Sequence, residues 1–462
     1  MREGLHKIVS SDETIAAIST PLGRSGIGVV RMSGREAAAI TSRLFKSNSP
    51  NSVLEHRKAQ VGAWMSVTGE EIDEVVVTLF RGPESYTGED VVEISGHGNP
   101  FILSRIVESI RIGGARIAAP GEFTLRSVAH GKMDLIQAEA VLEFIEAQTE
   151  QQARTALRQM EGAVSKRIRP HKDKLVDVIA RLEAGIDFAE DDVDVPDNAA
   201  VVKAITLISA GLESLKDTFG YGRILAGGLR LAILGKPNVG KSSLFNRLVS
   251  ADRAIVTEVP GTTRDVLTET VNMDGVPLRF ADTAGVRETE DRIESIGVTR
   301  SLETLSDADL ALVVLDGSLA LDDNDRQVLA KAESVPHLLV INKSDLPRGI
   351  DLSSLNGSPR VHVSARTGQG LEDLHEAIRA FLRNQKTELA DELVLTNARQ
   401  HEALAKGITS MNAASDALGR NVPHEMALLD LYQALAALDE LTGEVVTDDI
   451  LDRIFATFCI GK

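Results

Sequence analysis

Leu229-Arg-Leu-Ala-Ile-Leu234 runs into Gly235-Lys-Pro-Asn-Val-Gly240-Lys241-Ser242-Ser243, and this stretch decides the fold. A short apolar run bounded by glycine reads as a strand, and the spacing of residues 244–248 reads as a helix. Between them stands G-x-x-x-x-G-K-S, the spacing of a phosphate-binding loop in the context it requires. Phosphates select that arrangement because the loop N–H groups and the helix N-terminus converge on one anion. Lys241 is then expected at the β- and γ-phosphates, with the Ser242 hydroxyl on Mg2+. A glycine turn carrying a surface lysine is the bland alternative, and the flanking strand and helix argue against it.

Three further strand ends repeat the pattern downstream. Asp282-Thr283-Ala284-Gly285 follows the apolar run 278–281, where an acid anchors Mg2+ through water and Gly285 offers its N–H to the γ-phosphate. Asn342-Lys343-Ser344-Asp345 follows 338–341, and a carboxylate at Asp345 matches the N1–H and exocyclic amine of guanine, a donor pair adenine lacks. Ser364-Ala365-Arg366, after 361–363, supplies a backbone N–H for the guanine carbonyl. GTP is therefore the expected nucleotide. In 254–265, Thr263 is the natural switch hydroxyl for Mg2+ and Thr262 its competitor. The residue after the Asp282–Gly285 run is Val286, where Ras-type enzymes use glutamine to orient water. An apolar side chain cannot do so, which leaves Glu288, Glu290, Asp291, Glu294, a bound cation or a second subunit.

Outward from this core the texture changes twice. Residues 11–120 alternate short β-branched runs (27–32, 75–80, 91–94) with glycines and one helical spacing, Ile102, Leu103, Ile106, Val107 and Ile110. Residues 133–218 turn helical: Leu135, Ala138, Val141, Leu142 and Ile145, then Leu175, Val178, Ile179, Leu182 and Ile186, recur at three- and four-residue intervals. The acidic stretch 190–197 interrupts them as a solvated loop. The same texture returns after 388, with Leu428, Leu431, Leu435, Leu438 and Leu441 on one face. The expected fold is thus an N-terminal α/β domain (1–120) and a helical domain (121–222 and 381–462), with a doubly wound P-loop GTPase domain (223–380) inserted in the latter.

Composition sets bounds. A chain of 462 residues is too long for one core, and 43% apolar with 26% charged residues is an ordinary globular balance. No uninterrupted apolar run reaches the ~18–20 residues of a membrane span, and residues 1–11 do not read as a signal peptide. The one cysteine, Cys459, fits a reducing cytoplasm. A net charge of −18 argues against coating nucleic acid non-specifically while leaving room for a structured RNA held by a local basic patch. Aromatics at 3% argue against a broad base-stacking platform.

The P-loop together with Pro260-Gly-Thr-Thr-Arg-Asp265 resembles the translation-factor-related bacterial GTPases. Outside that domain, the 14–34 segment T-I-A-A-I-S-T-P-L-G-R-S-G-I-G-V-V-R-M-S-G is similar to the N-terminal signature of the MnmE (TrmE) family of tRNA modification GTPases. So are 86–98 (Y-T-G-E-D-V-V-E-I-S-G-H-G), 120–126 (P-G-E-F-T-L-R), 131–135 (G-K-M-D-L) and the terminal Cys459-Ile-Gly-Lys462. The resemblance covers essentially the whole chain.

That resemblance implies a homodimer joined by N-terminal domains and working with an FAD-containing MnmG-like partner in a heterotetramer, without a membrane. The pair installs an aminomethyl-type or carboxymethylaminomethyl group on C5 of the wobble uridine (U34) of certain tRNAs. The one-carbon unit comes from a tetrahydrofolate (5-formyl or 5,10-methylene), expected at Arg31, Glu93, Lys132 and Lys462. It also implies that G domains pair around K+, held by Asn238, Thr257, the Val259 carbonyl and Thr262, with Thr263 on Mg2+ and Glu294 orienting the hydrolytic water. The expected nucleotide contacts are Asn238 to Ser243; Thr257, Glu258, Val259, Pro260, Gly261, Thr262 and Thr263; Asp282, Thr283, Ala284 and Gly285; and Asn342, Lys343, Ser344, Asp345, Ser364, Ala365 and Arg366. Cys459 is a candidate for chemistry at the modified base, against a plain role as a small residue of the last helix with no nearby histidine to activate it. Two rival readings stand beside it: a ribosome-assembly or RNA-binding GTPase that only switches, against which the helical tail ending in Cys-Ile-Gly-Lys argues, and a folate-dependent aminomethyl transferase whose GTPase is regulatory.

Overall fold

The computed structural model describes residues 13–49, 53–187, 197–251, 270–280, 305, 307–355, 357–391, 393–420, 422–445 and 447–461. By internal contacts it divides into two units, one of 1–142, 159–209 and 403–462, the other of 143–158 and 210–402.

The first unit opens with β1 (Ile15–Ile18), β2 (Ser25–Ser33), α1 (Ala37–Leu44), β3 (Phe45–Ser47), β4 (Ala59–Met65), β5 (Glu71–Phe80), β6 (Val91–Gly98), α2 (Pro100–Ile112) and β7 (Arg116–Ile117). The strands form one sheet in the order β3-β4-β5-β6-β2-β1-β7, antiparallel except for the β1–β7 pair. Strand alternation sends Val30, Met32, Val92 and Ile94 to the face covered by α1 and α2, where they meet Ile40, Trp64, Leu103, Ile106 and Ile110. Arg31 and Glu93 therefore fall on the other face, opposite each other across β2 and β6. The segment 100–112, expected as a helix, is α2, started by Pro100 and by Asn99, whose side chain accepts from the Phe101 N–H.

Helices follow along the chain: α3 (Glu122–Ala129), α4 (Leu135–Glu146), α5 (Glu150–Met160), α6 (Ala163–Asp187), α7 (Asn198–Lys216) and α8 (Phe219–Gly227), with most of α5 and all of α8 belonging to the second unit. Most of the expected apolar rows are buried, as with Leu135, Ala138 and Val141 of α4 and Leu175, Val178, Ile179 and Leu182 of α6, while Ile145, at the end of the first row, is exposed. Among the described residues the stretch 198–227 is long and apolar enough to cross a membrane. Lys203 and Glu213 fall inside it, and Val201, Ile205, Ile208, Leu212 and Leu215 are buried at core spacing.

The second unit is built on β8 (Leu229–Leu234), α9 (Lys241–Ala251), β9 (Thr270–Met273), β10 (Val276–Phe280), β11 (Leu310–Asp316), α10 (Asp323–Ala332), β12 (His337–Asn342), β13 (Arg360–His362) and α11 (Leu371–Asn384). Its sheet runs β13-β12-β11-β8-β10-β9, all parallel except β9. Leu310, Leu312 and Val314 of β11 enter one core, Val313 and Leu315 the other. Both faces are thus covered, as a doubly wound sheet requires. From β8 the chain builds first toward β10 and β9, then crosses to β11 on the other side. That reversal puts the loop after β8 at the switch point where α/β sheets bind ligands. The chain ends with α12 (Ala398–Gly419), α13 (His424–Thr442) and α14 (Asp448–Phe455), in which Leu428, Leu431, Leu438 and Leu441 are buried.

Candidate functional site

The loop between β8 and α9 has the backbone of a phosphate cradle. Gly240 has φ +98, and a Cβ there would meet Asn342 Nδ2 at 2.3 Å, so only glycine fits. Asn238 is held at φ 63 and Lys343 at φ 61, left-handed positions uncommon for non-glycine residues. Lys241 Nζ donates to the carbonyls of Gly235 and Lys236, both at 2.9 Å. Burial lowers the pKa of that amine. Ser242 and Ser243 are exposed in the first turn of α9, and Val239 is buried. Lys236, next in the loop, is clamped by Asp322 at 2.8 Å and Asp325 at 2.7 Å at the capped N-terminus of α10.

At the ends of β12 and β13 two further motifs converge on this loop. Asn342 Nδ2 donates to the Val239 carbonyl at 2.7 Å, and the Ala365 N–H donates to Asn342 Oδ1 at 3.0 Å. One amide therefore ties the phosphate loop to the Ser364–Ala365 turn. Ser364 Oγ donates to Asp345 Oδ1 at 2.7 Å, and this bond holds the exposed carboxyl of Asp345 below its usual range. Lys343 Nζ pairs with Asp316 at 2.7 Å at the end of β11. Burial acts to raise Asp316, but hydrogen bonds from Lys343 and Ser318 outweigh it and keep the acid charged. Arg247 on α9 donates to the carbonyls of Ala365 at 3.1 Å and Arg366 at 2.8 Å, fixing the same turn from the other side. Nothing in the α9 pattern distinguishes Arg247 from a solvated helix cation. The Asn342 bridge is equally absent from the motif's spacing. Thr257, Glu258, Val259, Pro260, Gly261, Thr262, Thr263, Asp282, Thr283, Ala284, Gly285, Glu294 and Lys462 lie outside the described residues.

A second cluster occupies the opposite face of the first sheet, beside Phe123 of α3 and Tyr86. Arg31 donates to Glu93 Oε1 from Nη2 at 2.8 Å and from Nε at 3.1 Å. Its guanidinium lies 5.4 Å from the Tyr86 ring centroid and 5.8 Å from that of Phe123. Tyr86 hydrogen-bonds to Thr124 at 2.9 Å, and burial raises its pKa against that bond. Both aromatics sit inside the quoted motifs, yet only the fold brings them to Arg31. Lys132 Nζ reaches the Pro83 carbonyl at 2.9 Å, in the loop that leads to Tyr86. The end of the chain docks beside them. Ile460 forms a β-bridge with Pro120, and Ser19 Oγ donates to the Gly461 carbonyl at 3.0 Å. Cys459 is exposed and lies beyond α14 rather than within it. Among the described residues no group of three or more His, Cys, Asp and Glu is arranged to hold a metal.

A phosphate loop at the switch point of a parallel sheet, tied by one asparagine to an Asn-Lys-Ser-Asp strand end, defines a P-loop GTPase domain. The wider chain narrows that class. The family described as GTP-binding protein TrmE N-terminus matches residues 14–132, and the MnmE helical domain matches 135–459. A tRNA modification GTPase MnmE from Koribacter versatilis is 48% identical over 98% of this chain and 99% of its own length. One from Aquifex aeolicus is 42% identical over 97% and 100%. The G domain of the T. maritima FeoB iron transporter, a solved structure, is 28% identical over 33% of this chain and 98% of its own, with a TM-score of 0.25. The chain belongs to the MnmE family of tRNA modification GTPases.

Proposed function

We propose that this chain hydrolyses GTP with Mg2+ and K+ and couples that cycle to modification of C5 of a tRNA wobble uridine, working with an FAD-containing MnmG-like partner. The observation that carries the nucleotide half is the Asn342 bridge. It joins the phosphate loop to the base-side turn, with Asp345 at the rim, so phosphate and guanine contacts are preorganised together. Lys241 exchanges two loop carbonyls for the β- and γ-phosphates, which satisfy its three donors better than neutral oxygens do. Ser242 and Thr263 take Mg2+; Asn238, Thr257, Val259 and Thr262 take K+; Glu294 orients water in place of the glutamine that Val286 replaces. G domains pair across the nucleotides, and hydrolysis is slow without that pairing.

The Arg31–Glu93 face of the first sheet suits a reduced folate. Glu93 offers an acceptor for an amino and amide edge, and Arg31 a donor for carbonyl or carboxylate oxygens, between two aromatic rings. Bound there, the folate supplies the one-carbon unit. Arg31 and Glu93 bind and orient it, with Lys132 and Lys462 contributing positive charge and Cys459 exposed beside Pro120 and Gly121. The division into 1–120, 121–222 with 381–462, and 223–380, the homodimer and the cytoplasmic setting belong to the same proposal.

GTP turnover of the full chain, measured in KCl and NaCl across protein concentration, tests the hydrolytic half. The rate should rise with both K+ and concentration, and Glu294→Ala should abolish it while GTP still binds. Rates indifferent to both variables overturn the paired mechanism. Nucleoside digests of tRNA from a deletion strain test the modification, which fails if wobble uridine is unchanged.

A further inference from the structure

Helix α6 carries its charge in two blocks. Its N-terminal half holds Lys166, Arg167, Arg169, Lys172 and Lys174 against the single acid Asp173, whereas its C-terminal half holds Asp177, Glu183 and Asp187 against Arg181. That order opposes the helix macrodipole, which favours acids in the first turn and cations in the last. Helix stability therefore does not account for it. Nor does internal pairing. Lys172 is taken by Asp439 at 2.6 Å and Glu444 at 2.7 Å. Lys166 gives one bond to the Glu161 carbonyl at 2.8 Å. Arg167, Arg169 and Lys174 are exposed and make no ion pair among the described residues. Their fields overlap on the helix surface: burial, then the charges of Arg167 and Lys174, push His171 below its usual pKa.

Such a block is out of character for a chain of net charge −18. From Lys166 to Lys174 it spans about 12 Å of helix, with Arg167 and Lys174 on one flank of the exposed face and Lys166 and Arg169 on the other, so a phosphate backbone lying along the helix meets cations from both sides. Cations that stay unpaired and exposed are held ready for an anionic partner, and arginine's planar fork suits phosphate oxygens. We propose that the N-terminal half of α6 is a docking surface for the phosphate backbone of RNA, with Arg167, Arg169 and Lys174 as its principal contacts. This rests on the reading that tRNA is the substrate. The contact is electrostatic and sequence-independent: it positions the RNA and leaves base recognition to other groups.

The test is equilibrium binding of an unmodified tRNA transcript to the full-length protein across a KCl series. Wild type is compared with Arg167→Gln/Arg169→Gln/Lys174→Gln and with a control of equal charge loss, Lys58→Gln/Arg105→Gln/Arg111→Gln, whose cations are already paired. The α6 variant should bind roughly 10-fold or more weakly, with a log–log salt slope shallower by about 2–3, near one unit per lost phosphate contact. GTP affinity and helical content should not change, and Arg167→Lys/Arg169→Lys should retain binding. An α6 variant that binds like wild type, or a control that weakens equally, overturns the surface and leaves the tRNA reading standing. Wild-type protein that binds no tRNA at low salt overturns the tRNA reading itself, and the surface with it.

Discussion

Arg126 sits at the centre of a buried ion-pair cluster in the first unit. It is fully buried, and it donates to Glu89 at 3.0 and 3.1 Å, to Glu122 at 3.0 Å and to the Glu13 carbonyl at 2.9 Å. Replacing it by Met leaves Glu89 without its buried cation and Glu122 with Arg116 alone, which costs about 3–5 kcal/mol. Urea unfolding reads this directly, and a loss below about 1 kcal/mol contradicts the role. Glu122 adds a pH dependence. Burial acts to raise its pKa, but the hydrogen bonds from Arg116 and the Ala119 N–H and the charge of Arg126 outweigh it, leaving it below the usual carboxylate value. An acid depressed in the folded state stabilises fully above its unfolded pKa of about 4.3 and loses that contribution as pH falls through the folded value. Stability should therefore decline from about pH 5 downward, less steeply in Glu122→Gln. At the nucleotide rim, Asp345→Asn replaces an acceptor pair by one acceptor and one donor. GTP affinity should fall by at least about 100-fold, while a xanthine nucleotide, with a carbonyl where guanine has its amine, should gain. Equal losses for both nucleotides would remove Asp345 from base recognition.

Among elements, β12 shows how a strand end does chemical work. Its final residue, Asn342, is buried and bonds both to the Val239 carbonyl and to the Ala365 N–H. Asn342→Ala leaves a donor and an acceptor unpaired in a dry site, at about 2–4 kcal/mol, and frees the phosphate loop from the base-side turn. Both unfolding and GTP titration should register it, and a variant with normal GTP affinity would deny the coupling. The elements themselves were legible because periodicity is local: the three- and four-residue spacing of Leu103, Ile106 and Ile110 became α2, and that of Leu428, Leu431 and Leu438 became α13. The P-loop, its strand and its helix fell where the spacing put them. The Asn342 bridge, the Arg247 brace and the aromatic flank of Arg31 were not legible. Each joins residues tens of positions apart, and no pattern within one element encodes a partner in another.

At the scale of the molecule, the fold closes sequence ends onto one site. Gly461 lies against β1, bonded to Ser19 across a separation of 442 residues, and Ile460 bridges Pro120, one turn from Phe123 and the Arg31–Glu93 pair. The terminal C-x-G-K pattern was visible in the sequence, but its neighbours were not. Gly461 has φ +99, and a Cβ there would lie 2.4 Å from the Ile18 carbonyl, so a larger residue must lift the tail away. Gly461→Val should therefore separate the two halves of the proposed function. Binding of 5-formyltetrahydrofolate, followed by calorimetry, should weaken by roughly 10-fold or more because the cluster loses its tail. GTP affinity should stay at the wild-type value, since the phosphate loop, Asn342 and Asp345 all belong to the other unit. Folate binding within about twofold of wild type would show that the docked tail is structural only. A parallel loss of GTP binding would show that the two sites are not separable in the way their distribution between the units implies.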